Sequence, residues 1–353
     1  MPQQNLLVAD RAGHIAWTIA GRLWAGARTA HYARFESPDL PPPAWLAPAD
    51  YPVVRDPPAG QLWTANNRLL GPASGAAIGD GGFDLGARAQ QIRDRLAATP
   101  RFDEAALGAI QLDDEARFMH AWAGRILAAA AGSPKHGEVV RLLQGWDGRA
   151  EAGSAAYRLA RNVRIRTLDA LWRAWTLPVL GAAQDDPARR LEWHATFEYS
   201  AARALDERPA NLLPPPYATW DEFLLAQVDT VAADMTRHGG RPLATATWGE
   251  ANASRIRNVI SRAVPALSAL LDMPSLPQGG DANLPHVANA AFGQSERLVV
   301  APGHEEHATL TMPGGQSGHP MSPYYGAGHE TWAEGRTAPL LAGPPQHALT
   351  LVP

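Results

Sequence analysis

The sequence has no cysteine among its 353 residues. This excludes a disulfide frame, a thiolate nucleophile and any cysteine-based zinc site, and leaves the redox compartment unreadable. No apolar run is long enough to span a bilayer, and Met1–Asp10 lacks the basic start and long apolar core of a signal peptide. Charge is sparse, at 19% of residues with a net of −4. No Lys/Arg run forms a stripe, which argues against a nucleic-acid partner and against a membrane-surface footprint. The nearest approach, arginine-rich Arg158–Arg173, reads as a solvated helix face.

Hydrophobic residues make up 46% of the chain, enough for a large core in one big or two modest domains. The 12 tryptophans and 31 prolines suit long ordered loops over a sheet. Leu6–Ala9 and Ile15–Ile19 alternate as two strands of a hairpin, with turn chemistry at Asp10–Gly13, and the outer strand needs a neighbour or becomes an exposed edge. Gly21–Pro58 reads as an ordered covering loop rich in Pro and aromatics. Apolar residues at helical spacing predict helices over Phe102–Ile110, Asp114–Ala131, Gly137–Leu143, Ala155–Leu177, Pro187–Leu205, Trp220–His238 and Ala251–Ala263. Asp103 and Asp221 sit where first-turn carboxylates belong, and Asn211–Pro216 is a breaker. Beyond Met273 the chain turns to Gly, Pro and short β-like runs, Arg297–Val300 and Ala308–Thr311, with a third at Leu349–Val352. Strands and a cleft loop (1–84), a helical block (85–265), then strands and closing loops (266–353) make an α+β protein.

The chain is organised around Gly60–Arg88, GQLWTANNRLLGPASGAAIGDGGFDLGAR. Leu62, Trp63 and Thr64 favour a short strand. Asn66-Asn67 and a glycine-rich loop follow, then a helix with Leu85, Ala89, Ile92 and Leu96 on one stripe. Two readings of the paired amides stand. Asn tolerates left-handed backbone and forms turns. An Asn facing a cleft can also donate its NH2 to a developing oxyanion, with Arg88 bracing the site through its fork of donors.

TANNRLLG resembles the oxyanion-asparagine segment of the penicillin acylase (penicillin amidase) family of N-terminal-nucleophile hydrolases. In order down the chain, GARAQQIRDRL is similar to the family's arginine-bearing helix and LLQGWDGRA to its Trp-Asp-Gly segment. TWGEAN, FGQSERLVV and GGQSGHPMSPYY followed by Trp332 are similar to its closing blocks. The resemblance implies a four-layer α-β-β-α sandwich carrying a large helical insertion, and hydrolysis of linear amide bonds in small molecules through an acyl-enzyme. It implies that Asn66 is the oxyanion donor and that Arg88 steadies the nucleophile region, leaving Asn67 as a turn residue. Trp24, Phe35 and Trp45 become candidates for substrate-pocket walls, against a reading as plain packing.

The family's nucleophile is the first residue of its catalytic β chain, acting with its own α-amine as base. This sequence begins Met1-Pro2 and has no counterpart to it. The resemblance therefore implies the later part of a β chain, with an upstream α chain and an N-terminal β segment as partners, inactivity of this chain alone, and a periplasmic full-length precursor. The alternative is a non-catalytic remnant or a binding module of the same fold. Calcium in the complete protein stays open: Ala77 falls where an acidic ligand is expected, and Asp80 or Asp84 could substitute. No residues here are assigned to a metal. His304-Glu305-Glu306-His307 lacks the HExxH spacing and reads as a polar turn, and Gly315-Gln316-Ser317-Gly318-His319 fails the nucleophile-elbow pattern.

Overall fold

The computed structural model describes residues 3–23, 44–71, 82–181, 191–237, 240–345 and 347–350. Its strands are β1 (Gln4–Ala9), β2 (Ile15–Ala20), β3 (Val53–Arg55), β4 (Ala288–Asn289), β5 (Phe292–Gly293), β6 (Arg297–Val299) and β7 (Thr309–Thr311). Its helices are α1 (Ala87–Ala98), α2 (Glu104–Gln111), α3 (Arg117–Ala129), α4 (Gly137–Gln144), α5 (Ala155–Leu180), α6 (Phe197–Glu207), α7 (Trp220–Thr236), α8 (Trp248–Ala251), α9 (Val259–Ala263), α10 (Ser268–Leu271) and α11 (His329–Ala333). The mixture is α+β. The strands form one three-stranded sheet, β1-β2-β3, and two antiparallel pairs, β4-β5 and β6-β7. Two compact units arise, Met1–Thr99 with Leu168–Pro214, and Pro100–Thr167 with Pro215–Pro353.

In the first unit, β1 and β2 pair antiparallel from Gln4↔Ala20 to Ala9↔Ile15. Gly13 closes the turn at φ 90, and its N–H donates to the Asp10 carbonyl at 3.1 Å. Such a backbone angle suits only a residue without Cβ. The hairpin is where the alternation placed it, and β1 is exposed along its whole length and is an edge strand among the described residues. Beneath it, Trp17, Ile19 and Leu23 form a buried cluster joined by Leu46, Tyr51, Val54, Leu62, Leu69 and Leu70. The covering loop contributes β3, a strand the sequence reading did not assign. No strand forms at Leu62–Thr64. Leu62 packs into the cluster as a strand residue would, but the segment joins no sheet.

The second unit is mainly helical. α3 packs against α7, burying Trp122, Ile126, Phe223 and Val228. Asp103 caps α2 by accepting from the Ala106 N–H at 2.8 Å, and Thr219 caps α7 by accepting from Glu222 at 3.1 Å. Asp221 lies in the first turn of α7. Each such cap satisfies a donor that would otherwise be orphaned, worth about 1 kcal/mol.

Other expectations change. α5 runs through Pro178 to Leu180 rather than stopping at Leu177. Ala251–Ala263 is not one helix, because the chain leaves α8 at Asn252 and re-enters helix only at Val259. Backbone bonds from Ser254 to Leu276 (2.9 Å) and from Arg255 to Ala290 draw it out. The arginine face of α5 is solvated only in part, at exposed Arg166 and Arg173. Arg158 pairs with Glu250 (3.1 Å), Arg161 with buried Asp281 (2.7 Å), and buried Arg164 lies over Phe118. Residues 349–350 are not in a strand; the rest of the expected terminal strand, 351–352, lies outside the described residues.

Candidate active site

Asn66 sits in the first unit, on a loop anchored at both ends to one helix. The Gln61 side chain donates to the Leu96 carbonyl in the last turn of α1 at 3.1 Å, and Arg88 in its first turn donates to Asn66 Oδ1 at 2.9 Å. Leu62, Leu69 and Leu70 hold the loop to the sheet by apolar packing. The two residues singled out from the sequence, 22 positions apart, are therefore in direct contact.

The contact fixes the orientation of the Asn66 amide. A guanidinium can only donate, so the group facing it must be the carbonyl oxygen. The Asn66 NH2 is then turned away from Arg88, from an exposed position, and it makes no hydrogen bond among the described residues. The backbone of Asn66 is left-handed at φ 61, which Asn accepts more readily than most residues. Asn67 differs. Its Oδ1 accepts from the Ala65 N–H at 3.1 Å and its NH2 donates to the Arg68 carbonyl at 3.0 Å, so both ends of that amide serve the turn.

Sequence reasoning missed a third member. The same Arg88 Nη2 that reaches Asn66 also donates to Asp84 Oδ2 at 2.9 Å, and the Asp84 backbone N–H donates to the Asn66 carbonyl at 2.9 Å. The signal was available in the four-residue Asp-Arg spacing, which brings side chains together at a helix start. The Arg88 side chain is only 14% exposed, and its Nε is buried without a partner among the described residues. Thr64 Oγ1 is buried and unpartnered in the same way.

Trp24 and Phe35 lie outside the described residues. Trp45 is 55% exposed, with the Arg22 guanidinium 5.6 Å from its ring centre. Of the possible calcium ligands, residue 80 is outside the described residues, and both oxygens of Asp84 are engaged, Oδ1 by the Leu85 N–H and Oδ2 by Arg88. Among the described residues no cluster of three acidic or histidine side chains could hold a metal ion. The described residues by themselves thus do not assemble a calcium site. Glu306 lies 3.5 Å from both His304 and His307 on an exposed turn. Ser317 Oγ accepts from the His319 N–H at 3.2 Å, and no helix follows it as an elbow requires.

The remaining blocks singled out in the sequence build the second unit. Trp146 donates to the Arg149 carbonyl at 2.8 Å across a turn with Gly148 at φ 82. Trp248 donates to the Gly280 carbonyl at 2.8 Å, and buried Asn252 faces four backbone carbonyls. Trp332 donates to the Gln294 carbonyl at 2.7 Å and lies under the buried Arg297 guanidinium. Burial holds Arg297 at about 10, below the usual range of arginine.

A model of the family described as penicillin amidase matches residues 1–348, and this chain belongs to that family. Among curated relatives, it is 28% identical over 371 residues to penicillin acylase 2 proenzyme of Pseudomonas sp. (strain SE83), covering 96% of this chain and 44% of that protein. It is 26% identical over 389 residues to acyl-homoserine lactone acylase QuiP of Pseudomonas aeruginosa, covering 94% and 43%. The QuiP of Pseudomonas fluorescens is 24% identical over 398 residues, covering 99% and 46%. The chain spans less than half the length of these relatives.

Proposed function

We propose that this chain carries the oxyanion side of an acylase site that cleaves linear amide bonds in small molecules, with Asn66 as the donor and Arg88 as its brace. One observation carries the reading: the bond from Arg88 to Asn66 Oδ1 leaves the Asn66 NH2 as the outward-facing end of the amide. In the reaction, a nucleophile adds to the amide carbonyl, its oxygen becomes an oxyanion, and the NH2 donates to it. Collapse expels the amine and leaves an acyl-enzyme that water hydrolyses. A donor already oriented pays little reorganisation as charge develops.

In this reading the nucleophile, a chain-terminal residue whose own α-amine is the base, belongs to the length of the relatives that these residues do not span. The 353 residues alone therefore do not turn over amides. On the resemblance alone, we place the complete precursor in the periplasm, which cell fractionation checks. The test of activity is the complete gene product incubated with phenylacetyl, glutaryl and fatty-acyl amides and with N-acyl homoserine lactones, the released acid and amine being followed by mass spectrometry. Saturable release from any of them is the expected result. Release from none, by a correctly matured protein, would overturn the reading; saturable release by the 353 residues alone would overturn the placement of the nucleophile.

A further inference from the structure

Asn66 is held at two points. Its side-chain carbonyl takes one hydrogen of the Arg88 Nη2, and its backbone carbonyl takes the Asp84 N–H, each at 2.9 Å. The other Nη2 hydrogen goes to Asp84 Oδ2, also at 2.9 Å. Asp84 Oδ1 accepts from the Leu85 N–H at 2.8 Å, which fixes the carboxylate against the entry to α1. Residue 84 thus reaches Asn66 directly through its backbone and indirectly through Arg88. A guanidinium on a long side chain has several rotamers, and a carboxylate four residues earlier selects among them. The pair is charge-assisted and partly shielded, with the Asp84 side chain 32% exposed.

We infer that Asp84 is a positioning residue: it aims Arg88, and through Arg88 it sets the direction of the Asn66 NH2. This rests on the oxyanion reading of Asn66. Asp84 touches neither substrate nor reacting atoms in this account. Without its carboxylate, Arg88 loses the partner that directs Nη2 toward Asn66, and the Asn66 amide can rotate away from the developing charge. The effect falls on the step that forms the oxyanion and leaves substrate binding nearly unchanged, because the donor meets its full charge only in the transition state.

The test uses the complete, matured gene product and a double-mutant cycle. Asp84→Ala lowers kcat on the order of tenfold at nearly constant KM, within the range that coupled neighbours show. Asp84→Asn, which keeps a neutral acceptor for Nη2, recovers part of the loss and carries the same cycle should Asp84→Ala fail to fold. In an Asn66→Ala background, either Asp84 substitution has little further effect on kcat, because the group it positions is gone. Full, multiplicative loss in that background would mean that Asp84 acts elsewhere, and so would unchanged kcat in the Asp84 variants; each overturns the inference while leaving the Asn66 reading intact. If Asn66→Ala itself leaves kcat unchanged, the oxyanion reading fails, and the positioning role falls with it.

Discussion

Asn252 is a buried amide of the second unit that faces several backbone carbonyls. It is 1% exposed, and its Nδ2 lies 3.2–3.4 Å from the carbonyl oxygens of Gln278, Gly279, Gly280 and Ala288. Two hydrogens are thus shared among four acceptors, one of which, Gly280, also takes the Trp248 indole N–H. Asn252→Ala removes both hydrogens and leaves a small void. Two buried bonds at about 1 kcal/mol each, plus the loss of packing around a short side chain, give about 2–4 kcal/mol of destabilisation. Asn252→Asp keeps the shape and replaces the donor by a carboxylate facing carbonyl oxygens. It is more damaging than Asn252→Ala at neutral pH. Its loss lessens in acid, because burial raises the folded-state carboxyl pKa above the unfolded value and protonation then favours the folded form. Urea unfolding of the three proteins at pH 7 and pH 5 measures this order. An Asn252→Asp protein more stable than Asn252→Ala at pH 7 would refute the assignment of Asn252 as a donor hub.

Other consequences are independent. Gly249→Ala places a Cβ 2.9 Å from the Cβ atoms of both Ala152 and Pro277, so despite a better helix former in α8 we expect a net loss of about 1–3 kcal/mol, read by thermal unfolding; unchanged or raised stability contradicts it. Burial, with the Arg297 charge nearby, lowers His286 from 6.5 to about 4. The folded state then binds fewer protons than the unfolded chain between those values, so the stabilisation is complete above pH 6.5 and is lost as pH falls toward 4, on the order of 3 kcal/mol at most. His286→Gln flattens that limb of the urea midpoint against pH, and an unaltered slope counts against it. Leu6, Leu7 and Val8 on edge strand β1 are all more than 40% exposed, so Val8→Lys lowers aggregation and apolar-dye binding at a stability cost of about 0.5 kcal/mol or less. Light scattering unchanged by this substitution would move the sticky surface elsewhere.

The hairpin was legible because alternation and turn chemistry agree over Leu6–Ile19. The long helices were legible because their apolar residues recur at helical spacing. Val53–Arg55 escaped notice because three residues framed by Pro52 and Asp56-Pro57 carry little pattern, and pairing with β2 supplies the rest. Leu62–Thr64 failed in the opposite way: its side chains suit a strand, but strand formation needs a neighbour that local sequence cannot provide. The break after α8 follows from Asn252 and Ser254 bonding to distant segments, and the inward arginines of α5 from acids at 250 and 281, all invisible to a local window. At the site, spacing alone left Asn66 divided between turn and donor. Its left-handed backbone fits the first reading, and its bond to Arg88 supports the second.

The proposed function rests on the Asn66 amide, aimed by Arg88, stabilising the oxyanion. The direct measurement is kcat and KM for the complete matured enzyme with Asn66→Ala beside Asn67→Ala. Both change a neighbouring amide on one loop, so general disruption affects them alike. Asn66→Ala is expected to lose about 10²–10³ in kcat, or roughly 2.7–4 kcal/mol of transition-state stabilisation, with KM nearly unchanged. Asn67→Ala, whose amide is engaged by Ala65 and Arg68, is expected to lower stability or maturation yield and to leave kcat nearly intact. Near-normal turnover by matured Asn66→Ala would rule out Asn66 as the oxyanion donor, and a large loss in Asn67→Ala alone would transfer the role to the neighbouring amide.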